Sequence, residues 1–238
     1  MRPPAGLAFP MVSGHRPRAA RHAETSPQVV RRRTDAWVGV CGLILFAVCA
    51  TAASSGEVGP LERAVFEAVN GLPRTLLGPM QVVQFLGVLG IGPIVALAAL
   101  AARRPRLASA VATATLAKLV AERIVWEILI RERPGTTIPG AIVASGVPTS
   151  GPAFVSGHVV LSAAIAMILS RWLPSRWRWA PWLATAGVAL ARPYLGAHAP
   201  LDVAGGLGLG LAIGGSVNLA FGVPSRAGGS AADPRADD

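Results

Sequence analysis

Long apolar runs alternate along the chain with short breaks marked by charge, proline or glycine. Six of the runs approach or exceed the roughly 20 residues a helix needs to cross a bilayer. They fall near residues 36–54, 78–101, 107–130, 154–172, 179–197 and 200–221. Arg103, Arg104 and Pro105 separate the second run from the third, and Pro174 with Ser175 marks the turn after the fourth. The third run is the least uniform, because Lys118, Glu122, Arg123 and Glu127 interrupt it. Between the first two runs, residues 59–73 ("GPLERAVFEAVNGLP") set Leu61, Val65, Phe66 and Val69 on one side of a helical period. That spacing predicts an amphipathic helix lying on the membrane surface, where it can guide a lipid. The whole pattern predicts an all-α, polytopic membrane protein with six transmembrane helices over residues 36–221. The flanking segments 1–35 and 222–238 are too polar to bury a core and are expected to be disordered.

Composition sharpens this reading. Only 14% of the 238 residues are charged and 52% are hydrophobic, whereas a soluble domain carries about 25% charged residues. The net charge of +10 raises nucleic acid as a partner, but its distribution answers the question. With the N-terminus inside, cytoplasmic segments hold fifteen of the 22 Lys and Arg residues and outer segments hold five. Basic loops stay cytoplasmic, so the excess is topological. Trp37, Trp172, Trp177, Trp179 and Trp182 gather at the same inner boundary, as interfacial aromatics do. Both termini are therefore expected in the cytoplasm, with the chain in the plasma (inner) membrane and no nucleic-acid partner. Cys41 and Cys49 lie in one apolar run, which cannot bring them together, so no disulfide is expected. The first run begins too far from Met1 for a signal peptide and reads as an uncleaved anchor.

Orientation sorts the remaining ionisable residues by depth. Arg133 follows the third span on the outside, and Ser156, Gly157 and His158 of "FVSGHVV" open the fourth on that side. Arg192 ends the fifth span, and His198 and Asp202 flank the start of the sixth. Residues from four segments thus converge on the extracytoplasmic face. Two arginines beside two helix N-termini make an anion site, since unpaired amides, the helix dipole and the guanidinium fork all favour phosphate. Asp202, four residues past His198, can reach one imidazole nitrogen, fix the tautomer and leave the other nitrogen free to attack phosphorus. His158 can then protonate the departing oxygen. Such a site needs no metal and no cofactor. The glycines at 205, 206, 208, 210, 214 and 215 are expected to permit close helix packing. The outer loop 135–152 reads equally as a lid or as a passive cover.

The stretches "RERPG", "FVSGHVV" and "ARPYLGAHAPLDVAGG" resemble the three signature motifs of the type 2 phosphatidic acid phosphatase superfamily. These are integral-membrane lipid phosphatases related to bacterial acid phosphatases and vanadium haloperoxidases. The resemblance spans roughly residues 60 to 220 and implies the helical core of those enzymes with an outward-facing site. It implies His198 as nucleophile, His158 as acid, and Arg133, Arg192, Ser156 and Gly157 as phosphate ligands. The arginine-rich, lysine-poor usage suits a bacterial source. Val155 stands where the family usually has proline, and Ala191 where it has serine. The larger departure is in the first motif, where Trp126 occupies the family's lysine position. Arg123, one turn away at about 60° around the helix, can send a guanidinium towards the same pocket. Its alternative is an ion pair with Glu127, matching Lys118 with Glu122 at the same spacing. Two rival readings stay open at this stage. One is a transporter whose path follows Lys118, Glu122, Arg123 and Glu127; the other is a catalytically impaired relative that binds lipid phosphate.

Overall fold

The computed structural model describes residues 29–225. Its helices are α1 (Arg33–Ala53), α2 (Pro60–Asn70), α3 (Leu77–Gln84), α4 (Ile91–Ala101), α5 (Pro105–Ile128), α6 (Pro134–Thr137), α7 (Gly157–Trp172), α8 (Ala180–Tyr194) and α9 (Pro200–Phe221). Proline stands in the first turn of α2, α5, α6, α8 and α9, where a missing N–H costs nothing and the fixed φ is already helical. The described residues are thus mostly helical. Its described strands are two short pieces, β1 (Val29–Val30) and β2 (Val223–Pro224), paired antiparallel. These pieces and the first residues of α1 lie within segments expected to be disordered, whose described parts are residues 29–35 and 222–225; residues 1–28 and 226–238 fall outside the described residues.

All six apolar runs are helical, but they are not alike. By length and hydropathy α1 and α9 can each cross a membrane, and α3 with α4 makes a third if a 62° bend is allowed. The other three miss that criterion for identifiable reasons. α5 carries Lys118, Glu122, Arg123 and Glu127, while α7 and α8 have 16 and 15 residues. The outward surface is nevertheless apolar along the bundle. Leu43, Ile44 and Val48 of α1, Ile94 and Leu97 of α4, and Leu116 and Val120 of α5 are all exposed. A water-facing helix would carry polar groups there, so this is the surface of a membrane protein.

α7 is the central helix, with 12 of its 16 residues buried. α9 packs between α7 and α1, and its glycines fall into two stripes that explain how. A Cβ on Gly206, Gly210 or Gly214 would approach Ser156 O, Val160 O and Met167 Cβ of the α7 side to 2.9, 2.6 and 2.6 Å. A Cβ on Gly208 or Gly215 would come within 2.6 Å of Gly42 O and 2.7 Å of Asp35 O on α1. Backbone meets backbone on both sides, as small residues allow in lipid.

Side chains tie the two ends of the bundle. At one end Arg171 donates from Nε to Asp35 Oδ1 at 2.8 Å, and Arg31 donates from Nε to Leu219 O at 2.7 Å. These join the start of α1 to the ends of α7 and α9. At the other end, the close of α5, the start of α7, the close of α8 and the start of α9 meet. All three motif stretches lie there.

Candidate active site

The approach to His198 is set by one turn. α8 ends at Tyr194, and Gly196 takes φ +73°, a left-handed conformation. Glycine is required there, because a side chain would be strained and its Cβ would lie 2.5 Å from Ile142 O. Ala197 N then donates back to Arg192 O at 2.9 Å, and the chain enters α9 through Ala199. His198 is left buried between the two helices, with Nδ1 2.9 Å from Ala153 O. A carbonyl only accepts, so Nδ1 carries the proton and Nε2 holds the lone pair. Burial pulls the imidazole pKa down to about 4; Asp202 opposes this while Arg192 and Arg133 reinforce it. His198 is therefore neutral at pH 7, as a nitrogen nucleophile requires.

Asp202 departs from expectation. Its Oδ2 is 3.7 Å from His198 Nδ1, too far for a hydrogen bond. The tautomer-fixing contact belongs instead to the carbonyl of Ala153. Both Asp202 oxygens are engaged elsewhere: Oδ2 accepts from Ala199 N at 2.8 Å and Oδ1 from Arg131 at 3.0 Å. Arg131, two residues before Arg133, is fully buried and also donates to Glu62 and to Glu57 O. Glu62 in turn accepts from Leu201 N at 2.9 Å. A Glu62–Arg131–Asp202 network thus fastens α2 to the first turn of α9.

The remaining site residues surround this core. Ser156 N donates to Asp202 O at 3.0 Å, which locks the start of α7 to α9. Ser156 and Gly157 are buried, and His158 is partly exposed in the first turn of α7. His158 and Arg192 line an open cleft of about 470 Å³ with Gln84, Phe85, Ser145 and Pro148. The α3–α4 bend closes on His158, because Gly87 leaves no room for a Cβ against His158 Cβ and O. Arg192 donates to Gln84, and Arg133 donates to Ala197 O at 3.0 Å. Burial pulls the Arg133 pKa down, with Asp202, Glu122 and Glu132 acting against it. Gln84 was not singled out from the sequence, though with Gln81 it is a polar pair one turn apart in an otherwise apolar run.

Several donors here have no hydrogen-bond partner among the described residues. They are the Ser156 hydroxyl, the Nε groups of Arg131, Arg133 and Arg192, and the Trp126 indole N–H, all shielded from solvent. A buried donor left unmatched costs about 1–3 kcal/mol, so several at the end of the bundle where the motif stretches meet suit an acceptor such as an anion. Arg123 is not among them. Its side chain is 73% exposed and pairs with Glu127 on the outer face of α5, because the 100° step per residue carries it away from the face of Lys118 and Glu122. Lys118 and Glu122 form the second expected pair, buried against Gly157, where a Cβ would overlap the Glu122 carboxylate. The loop from Ile138 to Pro152 is anchored at several points. Asn70 donates to Ile142 O, Pro193 O and Tyr194 O at 2.9–3.1 Å, and Ala144 N donates to Leu195 O. Among the described residues no three His, Cys, Asp or Glu residues cluster as a metal site would require.

Residues 106–223 match the sequence model of the PAP2 superfamily. Two solved structures share the fold. One is LpxE of Aquifex aeolicus, with TM-score 0.63 and 20% identity, covering 68% of this chain and 96% of that one. The other is a transmembrane PAP2-type phosphatidylglycerolphosphate phosphatase of Bacillus subtilis, with TM-score 0.63 and 21% identity, covering 76% of this chain and 94% of that one. No curated protein matches the sequence significantly.

Proposed function

This chain belongs to the PAP2 superfamily, and from that premise we propose that it is a lipid phosphatase of the plasma membrane. In this reading α1, the α3–α4 pair, α5, α7, α8 and α9 are its six spans over residues 36–221, flanked by cytoplasmic tails. The cleft opens on the extracytoplasmic side. The observation that carries the reading is His198: a neutral imidazole whose Nδ1 is tied to Ala153 O, with unmatched donors of Ser156, Arg133 and Arg192 at the same end of the bundle.

The chemistry follows from those groups. A lipid phosphate enters with its phosphoryl oxygens on Arg133, Arg192, the Ser156 hydroxyl and the amides that open α7. Nε2 of His198 attacks phosphorus, the P–N bond forms, and the bond from phosphorus to the lipid oxygen breaks. His158 gives its proton to that departing oxygen. Water then donates a proton back to His158 and attacks phosphorus, the P–N bond breaks, and inorganic phosphate leaves. Ala153 O and, at longer range, Asp202 stabilise the positive imidazole while the phosphohistidine exists. No step requires a metal.

The test is phosphate release by purified protein from phosphatidic acid, phosphatidylglycerol phosphate and a polyprenyl diphosphate, with EDTA present. Wild type is expected to turn over at least one lipid, and His198→Ala none. Turnover that survives His198→Ala would refute the covalent route. Phosphate binding without release from any lipid would identify an impaired relative instead.

A further inference from the structure

We infer that the end of the bundle opposite the cleft carries a site for one acidic phospholipid, whose phosphodiester sits on Arg178. The inference goes beyond the phosphatase reading and shares with it only the membrane setting. A pocket of about 380 Å³ opens there between α1, α7 and the start of α8. Val38 of α1 and Met167 of α7 supply apolar walls, Arg171 and Arg178 supply charge, and Trp179 and Trp182 supply rings. The two arginines are not equivalent. Arg171 donates to Asp35 Oδ1 at 2.8 Å and to Thr34 Oγ1 at 3.3 Å, so its charge is matched. The Arg178 side chain has no ion pair or hydrogen bond among the described residues, and its Nε is shielded from solvent. Asp35 is the carboxylate of this end among the described residues, and Arg31, Arg32, Arg33 and Arg176 add to the positive charge. Arg178 is thus an uncompensated guanidinium beside a pocket, and its planar fork fits two phosphodiester oxygens.

The surroundings of that charge point to a lipid. Tryptophan favours the boundary between headgroups and hydrocarbon, and Trp177 and Trp179 stack there with ring centroids 6.3 Å apart. Trp37 beside Val38 and Leu183 beside Trp182 are exposed, so the edge of the pocket runs directly into the apolar outer surface of the bundle. A headgroup on Arg178 leaves its acyl chains on that surface, whereas a free anion gains nothing from it. The surplus of arginine also selects among lipids. A headgroup amine would meet like charge, which favours phosphatidylglycerol over a zwitterionic lipid.

The experiment uses the full chain in detergent, with dioleoyl phosphatidylglycerol, dioleoyl phosphatidylcholine and glycerol phosphate as probes. Lipid retention is read by native mass spectrometry and stability by melting temperature. Wild type is expected to keep one phosphatidylglycerol and to melt higher with it by mass action, and to gain nothing from the other two. Arg178→Gln should bind phosphatidylglycerol about tenfold more weakly, as loss of a charge-assisted contact requires. Arg176→Gln removes the same charge from an exposed neighbour outside the pocket and should bind as wild type does. A third readout needs no variant. Phosphatidylglycerol with a diazirine in its headgroup should label wild type within residues 167–182, and excess phosphatidylglycerol, but not phosphatidylcholine, should block that label. Equal weakening by the two substitutions would mean diffuse attraction to a basic face and would overturn the site, as would unchanged affinity in a folded Arg178→Gln. Stabilisation by glycerol phosphate would overturn the lipid in favour of a free anion. Equal retention of phosphatidylcholine would overturn the selectivity, and label found only beside the cleft would overturn the location. None of these outcomes depends on turnover, so failure of the phosphatase reading leaves the inference standing.

Discussion

At the scale of single residues, the site is held by groups that differ greatly in how visible they are in a sequence. His198, His158, Arg133 and Arg192 stand out because ionisable residues are rare in so apolar a chain. The carbonyl of Ala153 cannot stand out, since a backbone acceptor has no letter of its own. Arg131 and Arg133 are two apart, a spacing that a regular extended stretch places on one side; which one is buried among carboxylates depends on where α5 stops and how the chain turns after it. The structure turns Arg131 inward, with Glu62 and Asp202 as buried partners. Removing one member of such a network strands the other charges, at about 3–5 kcal/mol. Arg131→Met should therefore lower the melting temperature sharply, while Arg131→Met combined with Glu62→Gln should recover part of the loss. Equal melting of wild type and Arg131→Met in detergent would contradict the network. His198 makes a second prediction at this scale. Its folded pKa of about 4 lies below the ordinary 6.5, so protonation favours the unfolded chain. The stability it supplies is complete above pH 6.5 and is lost as pH falls towards 4, on the order of 3 kcal/mol at about 1.4 kcal/mol per unit. His198→Asn keeps a donor for Ala153 O and does not titrate, so its stability should fall less over that window. Parallel losses in both proteins would remove His198 as the cause.

At the scale of elements, hydropathy reports apolar length well and direction poorly. The six runs became helical segments close to their expected bounds, because apolar length and proline punctuation are local properties. The 62° bend between α3 and α4 was not legible as a bend, since Gly87 acts there through His158, a partner distant in sequence. Arg123 stayed open between the pocket and an ion pair with Glu127 for a related reason, and the pair is what forms. Its distance from Trp126 along α5 was correct, but the face it occupies depends on which side of α5 packs against α7. The glycines of α9 were legible as packing residues, and the structure supplies their partners. Gly208→Val would drive a side chain into Gly42 O and Phe46 N, each 2.6 Å from the position of its Cβ. Overpacking of this kind costs about 1–3 kcal/mol, so α1 should separate and the melting temperature should drop. Gly78→Ala, where nothing lies within 4 Å of the new methyl, is the control and should be neutral or slightly stabilising. Equal melting of the two variants would mean that α1 and α9 do not pack this closely in the membrane.

At the scale of the whole molecule, the orientation read from arginine counts meets an independent arrangement in the structure. The Arg171–Asp35 pair and the Arg31 contact with Leu219 gather one end of the bundle, and the cleft with His158 and Arg192 opens at the other. Charge bias favours the cytoplasm for the first end, and in the function proposed above the second end faces outward and releases phosphate there. Two exposed serines mark the two ends: Ser145 in the loop beside the cleft and Ser175 in the turn after α7. With Cys41 and Cys49 replaced by serine, Ser145→Cys should react with a membrane-impermeant maleimide in intact cells. Ser175→Cys should react only after permeabilisation. Labelling of Ser175→Cys in intact cells, with Ser145→Cys protected, would invert the protein. An inverted bundle would keep every contact around His198 and would move the hydrolysis to the inner leaflet. The chemistry of the cleft and the face on which it acts are therefore separable claims, and this pair of reporters tests the second without assuming the first.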